Sequence, residues 1–356
     1  MKFLYILFFT PVFLYSQEET ITRDTILLND IEITKNKKLK ASLQYDELSD
    51  IPNRGGYSYG MAVDNGNLYL MNGDVSESGF NGFGNQVYIY DIKKNNWKIS
   101  NKKGSEVTDN YVAAHEGMLY SFGGRKRGKN RYREYLNDKI DVYNIDKDTM
   151  TLVHNMPHQA VNFAGIKLND KLLFFGGSTS INNIDQKIYT DKIHLLNMST
   201  GLWYELDSMP DAKETTGVIV DNKVYLIGGF KSKPLKVVES YNLNDGKWKE
   251  EFNLPKAMEK PSLAVKDKII YIYQNGIFYT YDTITKILRE YIINNIFSTK
   301  SQIFIHEDNL YILGGLNERT GGDGERVYKS SLTSNAFYRI KLKEFNRTRV
   351  KKEVKF

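Results

Sequence analysis

The chain has 356 residues and 41% of them are hydrophobic, which is enough for a large buried core and excludes a disordered or fibrous protein. The formal net charge of +6 sets 49 Lys and Arg against 43 Asp and Glu, a balance too even for a nucleic-acid-binding arm. With 25 Tyr, 27 Gly and no Cys, the composition suits an all-β protein and excludes disulfides, thiolate metal sites and cysteine nucleophiles.

The first sixteen residues have the pattern of a secretory signal peptide. Lys2 precedes an apolar run at 3–15, and the small Ser16 stands where cleavage would occur. The run is too short to cross a bilayer comfortably, and no later stretch reaches the roughly 20 apolar residues that a membrane helix needs. We therefore expect a cleaved signal peptide at 1–16, no transmembrane segment, and a periplasmic or secreted product that starts near Gln17. Because the chain has no Cys, a lipidated cysteine is excluded.

One short apolar phrase that ends in glycine recurs along the rest of the chain. The copies are LYLMNG at 68–73, LYSFGG at 119–124, LLFFGG at 172–177, VYLIGG at 224–229 and LYILGG at 310–315, with a decayed sixth copy, IIYIYQ, at 269–274. Successive copies end 41 to 53 residues apart. A repeat near 50 residues is typical of propeller blades, so we predict six blades.

Each copy of this glycine phrase predicts a strand that is buried on both faces. Neighbouring side chains of a strand point to opposite faces, so four consecutive apolar residues need a packing partner on each side. A blade packed between two other blades provides both partners. The glycines at the end indicate a sharp turn or a close backbone approach, where a Cβ atom would be costly.

A second, alternating phrase that ends in Asp or Asn follows four of the copies. It occupies 87–91, 140–144, 193–197 and 238–242, and three of these segments are followed six residues later by Trp97, Trp203 and Trp248. Alternation predicts an outer strand with one wetter face. A short strand precedes each glycine phrase, in four of the six copies after a loop that contains Pro, which brings the total to four strands per blade. Together the two phrases resemble the kelch repeat, and the resemblance covers about residues 45–340.

The kelch resemblance implies an all-β, six-bladed kelch-type β-propeller with four antiparallel strands per blade. It also implies a ring closed by strands from the two chain ends, for which we expect residues 43–48 to pair around 337–340. The expected organisation is a signal peptide at 1–16, a leader of unassigned role at 17–42, a propeller at 43–345 and a basic tail at 346–356.

The loops that would surround the mouth of the central funnel carry more basic than acidic side chains. They follow the glycine phrases or precede each first strand, and function in propellers usually sits on this face. We expect an anionic ligand such as a carboxylated sugar, because Arg pairs with carboxylates through two hydrogen bonds. The candidate ligand-binding residues are Arg54, Arg125, Arg127 and Arg319. We expect Arg54, Arg125 and Arg319 to converge, because their blades are consecutive in a closed ring; ordinary solvated loop charge is the alternative.

Other chemistry is only weakly indicated. The stretch 125–133 has six basic residues in nine positions, but an exported protein seldom meets nucleic acid, so an acidic glycan, an anionic surface or a solvated loop fits better. His154 and His158 flank Pro157, which excludes the helical spacing of a metal-ligand pair. We expect no metal and no cofactor. A copper radical site like that of galactose oxidase is excluded because it requires a Cys.

Two functions from different classes fit the sequence. The first is a monomeric binding or interaction module whose loop face meets a glycan or protein partner, and no nucleic acid. The second is a sugar mutarotase, because length, signal peptide and six kelch-like blades resemble the periplasmic N-acetylneuraminate epimerases, which interconvert the anomers of sialic acid. That resemblance implies an acid and a base near the sugar ring oxygen. Candidates chosen by loop position and chemistry are Glu214 or Glu259 as base and His158 as acid.

Overall fold

The computed structural model describes residues 39–77, 80–128, 133–180, 187–296, 298–322 and 327–356. The predicted signal peptide and nearly all of the leader lie outside these ranges. Within them, the secondary structure consists almost entirely of antiparallel strands, arranged as six sheets of four or five strands and three smaller sheets. In this described part of the chain, no helix is long and apolar enough to cross a membrane.

Sheets 1 to 3 pair their strands in chain order. Sheet 1 comprises Gly60–Asp64, Asn67–Met71, Gln86–Asp91 and Asn96–Lys103. Sheet 2 comprises Tyr111–His115, Met118–Phe122, Lys139–Asn144 and Thr149–His154. Sheet 3 comprises Ala164–Leu168, Lys171–Phe175, Ile193–Asn197 and Leu202–Glu205. The first strand of each sheet is short, as expected for the segment before the glycine phrase.

Sheets 4 to 6 follow the same plan, and the last two include strands from the chain ends. Sheet 4 comprises Glu214–Val220, Lys223–Lys231, Lys233–Asn242 and Trp248–Met258. Sheet 5 comprises Ser262–Lys266, Ile269–Gln274, Ile277–Asp282, Ile287–Ile292 and Lys352–Lys355. Sheet 6 comprises Gln302–His306, Asn309–Leu313, Phe337–Lys341 and Asp46–Glu47.

Three smaller sheets and one 3₁₀ helix complete the described secondary structure. The first small sheet comprises Gly56–Tyr57, Asp74–Glu77 and Phe80–Phe83. The second comprises Val107–Thr108, Arg125–Arg127 and Glu134–Leu136. The third comprises Leu316–Gly322 and Val327–Thr333, and the 3₁₀ helix is Leu342–Arg347.

The second strand of each large sheet lies between two hydrophobic layers, as the glycine phrase predicts. In sheet 1, Leu68 and Leu70 pack in a cluster with sheet 6, whereas Tyr69 and Met71 pack in a cluster with sheet 2. All four side chains are buried. The described core forms six clusters, each shared by two sheets, and one of them joins sheet 6 to sheet 1. Apolar burial between sheets therefore stabilises the whole arrangement.

The close backbone approach predicted for the glycine phrase is found at its last glycine. Gly229 has φ +114°, and a Cβ atom there would lie 2.0 Å from the carbonyl oxygen of Glu214. Gly177 has φ +106°, and its Cβ would lie 2.7 Å from the carbonyl oxygen of Val161. Only glycine tolerates such contacts in this conformation. Each contact places the end of the glycine phrase against the segment where the first strand begins, so the loops that continue from both emerge at the same end of the sheet.

The two ends of the described chain are both incorporated into sheets. Asp46 lies opposite Arg339 in sheet 6, and its Oδ2 accepts a hydrogen bond of 2.8 Å from Arg339 Nη2. This is the place where the sequence analysis expects the chain ends to pair. Residues 346–356 were expected as a basic tail, but Lys352–Lys355 adds a fifth strand to sheet 5. The Phe356 ring then stacks on Phe252 of sheet 4, with centroids 4.3 Å apart.

Candidate functional site

One position of the repeat lines a cavity with a side chain from every large sheet. This position lies two residues before the first strand begins its regular pairing with the second strand. In sheet 4 the strand itself already starts at this position, Glu214, but its pairing becomes regular only from Thr216, after a register shift. The six residues are Ser58, Asp109, Asn162, Glu214, Lys260 and Lys300. Four of them have a left-handed backbone, with φ between 52° and 58°: Ser58, Asp109, Asn162 and Lys300. The cavity that they share has a volume of about 360 Å³, and we call it the outer funnel.

The outer funnel carries one more basic than acidic side chain. Its basic residues are Arg125, Lys187, Lys260 and Lys300, and its acidic residues are Asp109, Glu214 and Glu259. The rest of its wall is mainly neutral and polar: Ser58, Asn162, Ser180, Gln274, Asn275 and Thr299. The wall therefore offers many hydrogen-bond donors and acceptors and a small excess of positive charge.

Asp109 is the centre of an ion-pair network in the outer funnel. Its Oδ1 lies 2.7 Å from Lys260 Nζ, and its Oδ2 lies 3.0 Å from Arg125 Nε. Burial acts to raise the pKa of Asp109, but Lys260 and Arg125, with a further hydrogen bond from Ser58, outweigh burial and hold the pKa well below its usual range. Asp109 is therefore ionised at neutral pH.

Arg125 is already committed to protein partners. Besides Asp109, it contacts Glu134, whose Oε2 lies 2.6 Å from Arg125 Nη1. The guanidinium groups of Arg125 and Arg127 also lie over the ring of Phe83, at 5.3 and 4.4 Å from its centroid. A ligand anion would have to compete with two carboxylates for Arg125.

Glu214 is a buried carboxyl group on the wall of the outer funnel. Its side chain is 2% exposed, and its Oε1 accepts a hydrogen bond of 3.0 Å from Lys187 Nζ. Burial raises the pKa of Glu214, although Lys187 and Asn162 oppose this effect. The pKa values of Glu214 and Asp109 are thus displaced in opposite directions, a pattern that can support both uptake and release of protons.

Lys300 is held in the outer funnel by an aromatic ring. Its ammonium nitrogen lies 4.8 Å from the ring centroid of Tyr57, and the Tyr57 hydroxyl donates a hydrogen bond of 2.8 Å to Asp74 Oδ2. Among the side chains that the structure describes, none of the carboxylates makes an ion pair with Lys300. Lys300 is therefore the funnel cation most available to a ligand.

A second cavity, the inner funnel, lies deeper along the first strands. Its volume is about 190 Å³, and it shares five lining residues with the outer funnel: Ser58, Asp109, Asn162, Lys260 and Lys300. Beyond these, its wall includes the aromatic side chains of Tyr59, Tyr111 and Phe163. The two cavities are thus separated by polar side chains at the strand starts.

Comparison with protein families identifies the repeat. The KLHDC2/KLHL20/DRC7 Kelch-repeats domain family matches residues 58–276, which is more than half of the chain. The chain belongs to the kelch-repeat family. Kelch propellers typically act as interaction modules.

Individual relatives of this kelch protein are distant. It is 24% identical over 204 residues to Kelch repeat and BTB domain-containing protein 2 of cowpox virus (strain Brighton Red), a match covering 50% of this chain and 36% of the relative. It is 26% identical over 180 residues to human Kelch-like protein 23, covering 49% and 29%. These matches span only about a third of the relatives' own lengths. The solved structure of YjhT has a TM-score of 0.63 at 13% identity, covers 80% of this chain and 99% of its own, and shows the same propeller fold.

His158, expected as a funnel acid, lies instead in the core of the kelch propeller. It is 2% exposed, and its ring packs against Phe163 and Phe174. Its Nε2 lies 2.9 Å from the carbonyl oxygen of Gly176, and its Nδ1 lies 2.9 Å from His194 Nδ1. Because a carbonyl only accepts, Nε2 carries the proton and Nδ1 accepts from His194. Burial and His194 lower the pKa of His158 to about 3, so it is neutral, and it does not line either cavity.

The expected arginines do not converge on the funnel as a group. Of the four, Arg125 lines the outer funnel, whereas Arg54 is exposed and Arg127 stacks on Phe83, and neither is part of its wall. Arg319 lies on the strand Leu316–Gly322, and its side chain is outside the described part of the structure. The predicted bases Glu214 and Glu259 both line the outer funnel.

Sequence reasoning left out several residues of the funnel wall. Ser58, Asp109 and Asn162 were missed because each is unremarkable in its own loop; their shared place two residues before a first strand is the signal that unites them. Lys187 carried no such signal, since it belongs to the long loop between the second and third strands of sheet 3. Among the described residues, no group of three or more His, Asp or Glu is placed to hold a metal ion.

Proposed function

We propose that this kelch propeller is a binding module for a small, hydroxyl-rich anion, in the first place an acidic sugar, that occupies the outer funnel. The observation that carries the proposal is the outer funnel itself, whose volume of about 360 Å³ falls in the range of small-molecule sites. Every large sheet contributes a polar or charged side chain to it. Export, expected from residues 1–16, is part of the proposal.

We expect the ligand to be an anion because of Lys300, and not because of the arginine cluster that the sequence predicts. Lys300 is held by an aromatic ring, so it can meet a ligand carboxylate without breaking an ion pair. Lys260 lies on the same wall but is already bound to Asp109. The ligand hydroxyl groups would find donors and acceptors on neutral wall residues such as Gln274 and Asn275.

Replacing Lys300 with methionine should weaken binding of an acidic sugar about tenfold to a hundredfold. The substitution keeps an unbranched side chain only one atom shorter but removes the charge, and a hydrogen bond to a charged group contributes about 1.5 to 3 kcal/mol. Isothermal titration calorimetry with N-acetylneuraminate and galacturonate measures the effect, with galactose as the neutral match to galacturonate. Added salt should weaken binding of the acids.

The matched control is Arg54→Met, which removes a cation from the same face but outside the funnel wall. It should leave affinity for the acids within about twofold of the wild type, since exposed surface charge contributes little. Equal losses in Arg54→Met and Lys300→Met would contradict the assignment of the site. If neither acid binds the wild type, the sugar proposal fails, and a protein partner at the loop face is left as the typical kelch role.

A second candidate function, sugar anomerisation, is favoured by the two carboxyl groups of the outer funnel. Asp109 is ionised and Glu214 has a raised pKa, so one can stabilise positive charge while the other exchanges a proton with the ring oxygen or the anomeric hydroxyl. NMR exchange between the anomers of N-acetylneuraminate tests this directly. Catalysis predicts exchange that is faster with the protein than in buffer and at least a hundredfold slower in Glu214→Gln. Exchange at the buffer rate with wild-type protein would exclude it.

A further inference from the structure

The outer and inner funnels meet at the five side chains that line both cavities, which we call the partition: Ser58, Asp109, Asn162, Lys260 and Lys300. Lys260, a member of this partition, makes contacts with the starts of two other sheets. It projects from the start of sheet 5, and its Nζ lies 2.7 Å from Asp109 Oδ1 before sheet 2 and 2.8 Å from Asn162 Oδ1 before sheet 3. These contacts join parts of the chain that are 151 and 98 residues apart. The side chain of Lys260 therefore spans the passage between the two cavities.

The chemistry of the two cavities differs on either side of this partition. The charged residues that line the inner funnel are Asp109, Lys260 and Lys300, and all three belong to the partition. The rest of its described wall is uncharged and consists of aromatic, aliphatic and small polar residues, among them Tyr59, Tyr111, Phe163 and Leu263. Such a wall favours an uncharged, partly apolar group and penalises a buried charge.

We propose that the inner funnel is a second binding compartment for an uncharged, partly apolar group, and that the ion pair between Lys260 and Asp109 is the gate that separates it from the outer funnel. The compartment and its gate follow from the geometry alone. The ligand class that joins both compartments, an anion attached to an uncharged and partly apolar body, rests on the proposed function of the outer funnel.

An anion in the outer funnel can open this gate by exchanging partners. Asp109 shares its charge between Lys260 and Arg125, so it retains Arg125 when Lys260 turns away. The ammonium group of Lys260 then pairs with the ligand anion, and neither carboxylate is left without a cation. Because one ion pair replaces another, the cost of opening is much smaller than that of burying an unpaired charge. The body of the ligand can then enter the inner funnel.

Indole, a small neutral aromatic molecule, tests the compartment without any sugar. The wild type should bind it weakly because the Lys260 side chain, held by Asp109 and Asn162, takes up part of the compartment, and Lys260→Ala should bind it at least tenfold more tightly because that side chain and its charge are removed. Titrations followed by NMR give both affinities, and contacts from indole protons to the rings of Tyr111 and Phe163 report where it binds. The matched control is Lys256→Ala, which removes an exposed lysine outside both cavities and should behave as the wild type.

A second variant keeps the test decisive if Lys260→Ala does not fold. Asp109→Asn retains the shape of the Asp109 side chain but removes its charge, so this variant should bind indole with an affinity between those of the wild type and Lys260→Ala. Equal affinities in the wild type, Lys260→Ala and Asp109→Asn would overturn the gate. Indole contacts that avoid Tyr111 and Phe163 would overturn the compartment. Because no acid is present, these results stand whether or not an acidic sugar binds.

Discussion

Replacing Glu239 with alanine should lower the free energy of unfolding by about 3 to 5 kcal/mol, because it leaves a buried cation without a partner. That cation is Lys213, whose side chain is 2% exposed and whose Nζ donates a hydrogen bond to Glu239 Oε2. Lys213 precedes the first strand of sheet 4, and Glu239 lies on its third strand, so the pair joins two parts of one sheet. Without the carboxylate, the ammonium group must be buried alone or its segment must move.

Two substitutions separate this effect from general sensitivity to mutation. Glu205→Ala also removes a carboxylate that pairs with a lysine, Lys192, but both side chains are about half exposed, so the loss should stay below about 1 kcal/mol. Lys213→Met removes the more deeply buried charge and leaves the Glu239 carboxylate, which is 14% exposed and so more easily reached by water, and it should therefore cost less than Glu239→Ala. Urea denaturation measures all three. A cost for Glu239→Ala no larger than that for Glu205→Ala would show that Lys213 is not held by this ion pair.

The fold could be predicted because its signals are local and repeated. A run such as Leu68 to Met71 requires burial on both faces, and the structure provides it through two separate hydrophobic clusters. The final glycines, such as Gly229, mark a contact that no other residue tolerates without strain. Each signal recurs in sheet after sheet, so agreement between copies compensates for the weakness of any one of them.

The candidate site was harder to predict because the direction of a side chain depends on its position relative to the first strand. Lys213 and Glu214 are neighbours at the start of the first strand of sheet 4, yet Glu214 lines the outer funnel and Lys213 pairs with Glu239, which does not line it. Adjacent residues of extended chain point to opposite sides, so an uncertainty of one residue reverses the assignment. His158 shows the same limit, since its loop carries it into the core rather than to the cavity.

Contacts between side chains on opposite sides of the funnel cannot be predicted from local sequence patterns. Lys260 and Asp109 are 151 residues apart, and only the arrangement of the sheets around a common cavity brings them together. Lys260 can be placed before a first strand from the sequence, but nothing in the sequence points to Asp109 as its partner. The same is true of Lys300 and Tyr57, which belong to different repeats.

Lowering the pH from 7 to 5 should destabilise the propeller by about 2 kcal/mol through His158. Burial and His194 lower the pKa of this histidine to about 3 in the folded state, whereas its ordinary value is 6.5. Between these two values the unfolded chain binds more protons than the folded protein, so stability falls as the pH falls. The contribution is complete above pH 6.5 and is lost progressively towards pH 3, at about 1.4 kcal/mol per pH unit.

The physical reason is that both ring nitrogens of His158 already have partners. Nε2 donates to the carbonyl oxygen of Gly176, and Nδ1 accepts from His194. A proton added to Nδ1 would face the donor of His194, so the bond between the rings would be lost and a charge would be buried beside Phe174. Burial also lowers the pKa of His194, which adds to the acid sensitivity with the same sign.

The pH dependence of urea denaturation tests this role. His158→Asn cannot titrate, so its loss of stability between pH 7 and pH 5 should be about 2 kcal/mol smaller than that of the wild type, even though the variant is less stable at pH 7. Leu196→Ala, which removes apolar contacts from the cluster around Phe163 and Phe174 and changes no titratable group, should keep the wild-type slope. The difference in slope is the decisive quantity, because a variant that only perturbs packing shifts stability equally at both pH values. If His158→Asn and the wild type lose the same stability on acidification, His158 does not remain neutral in the folded protein.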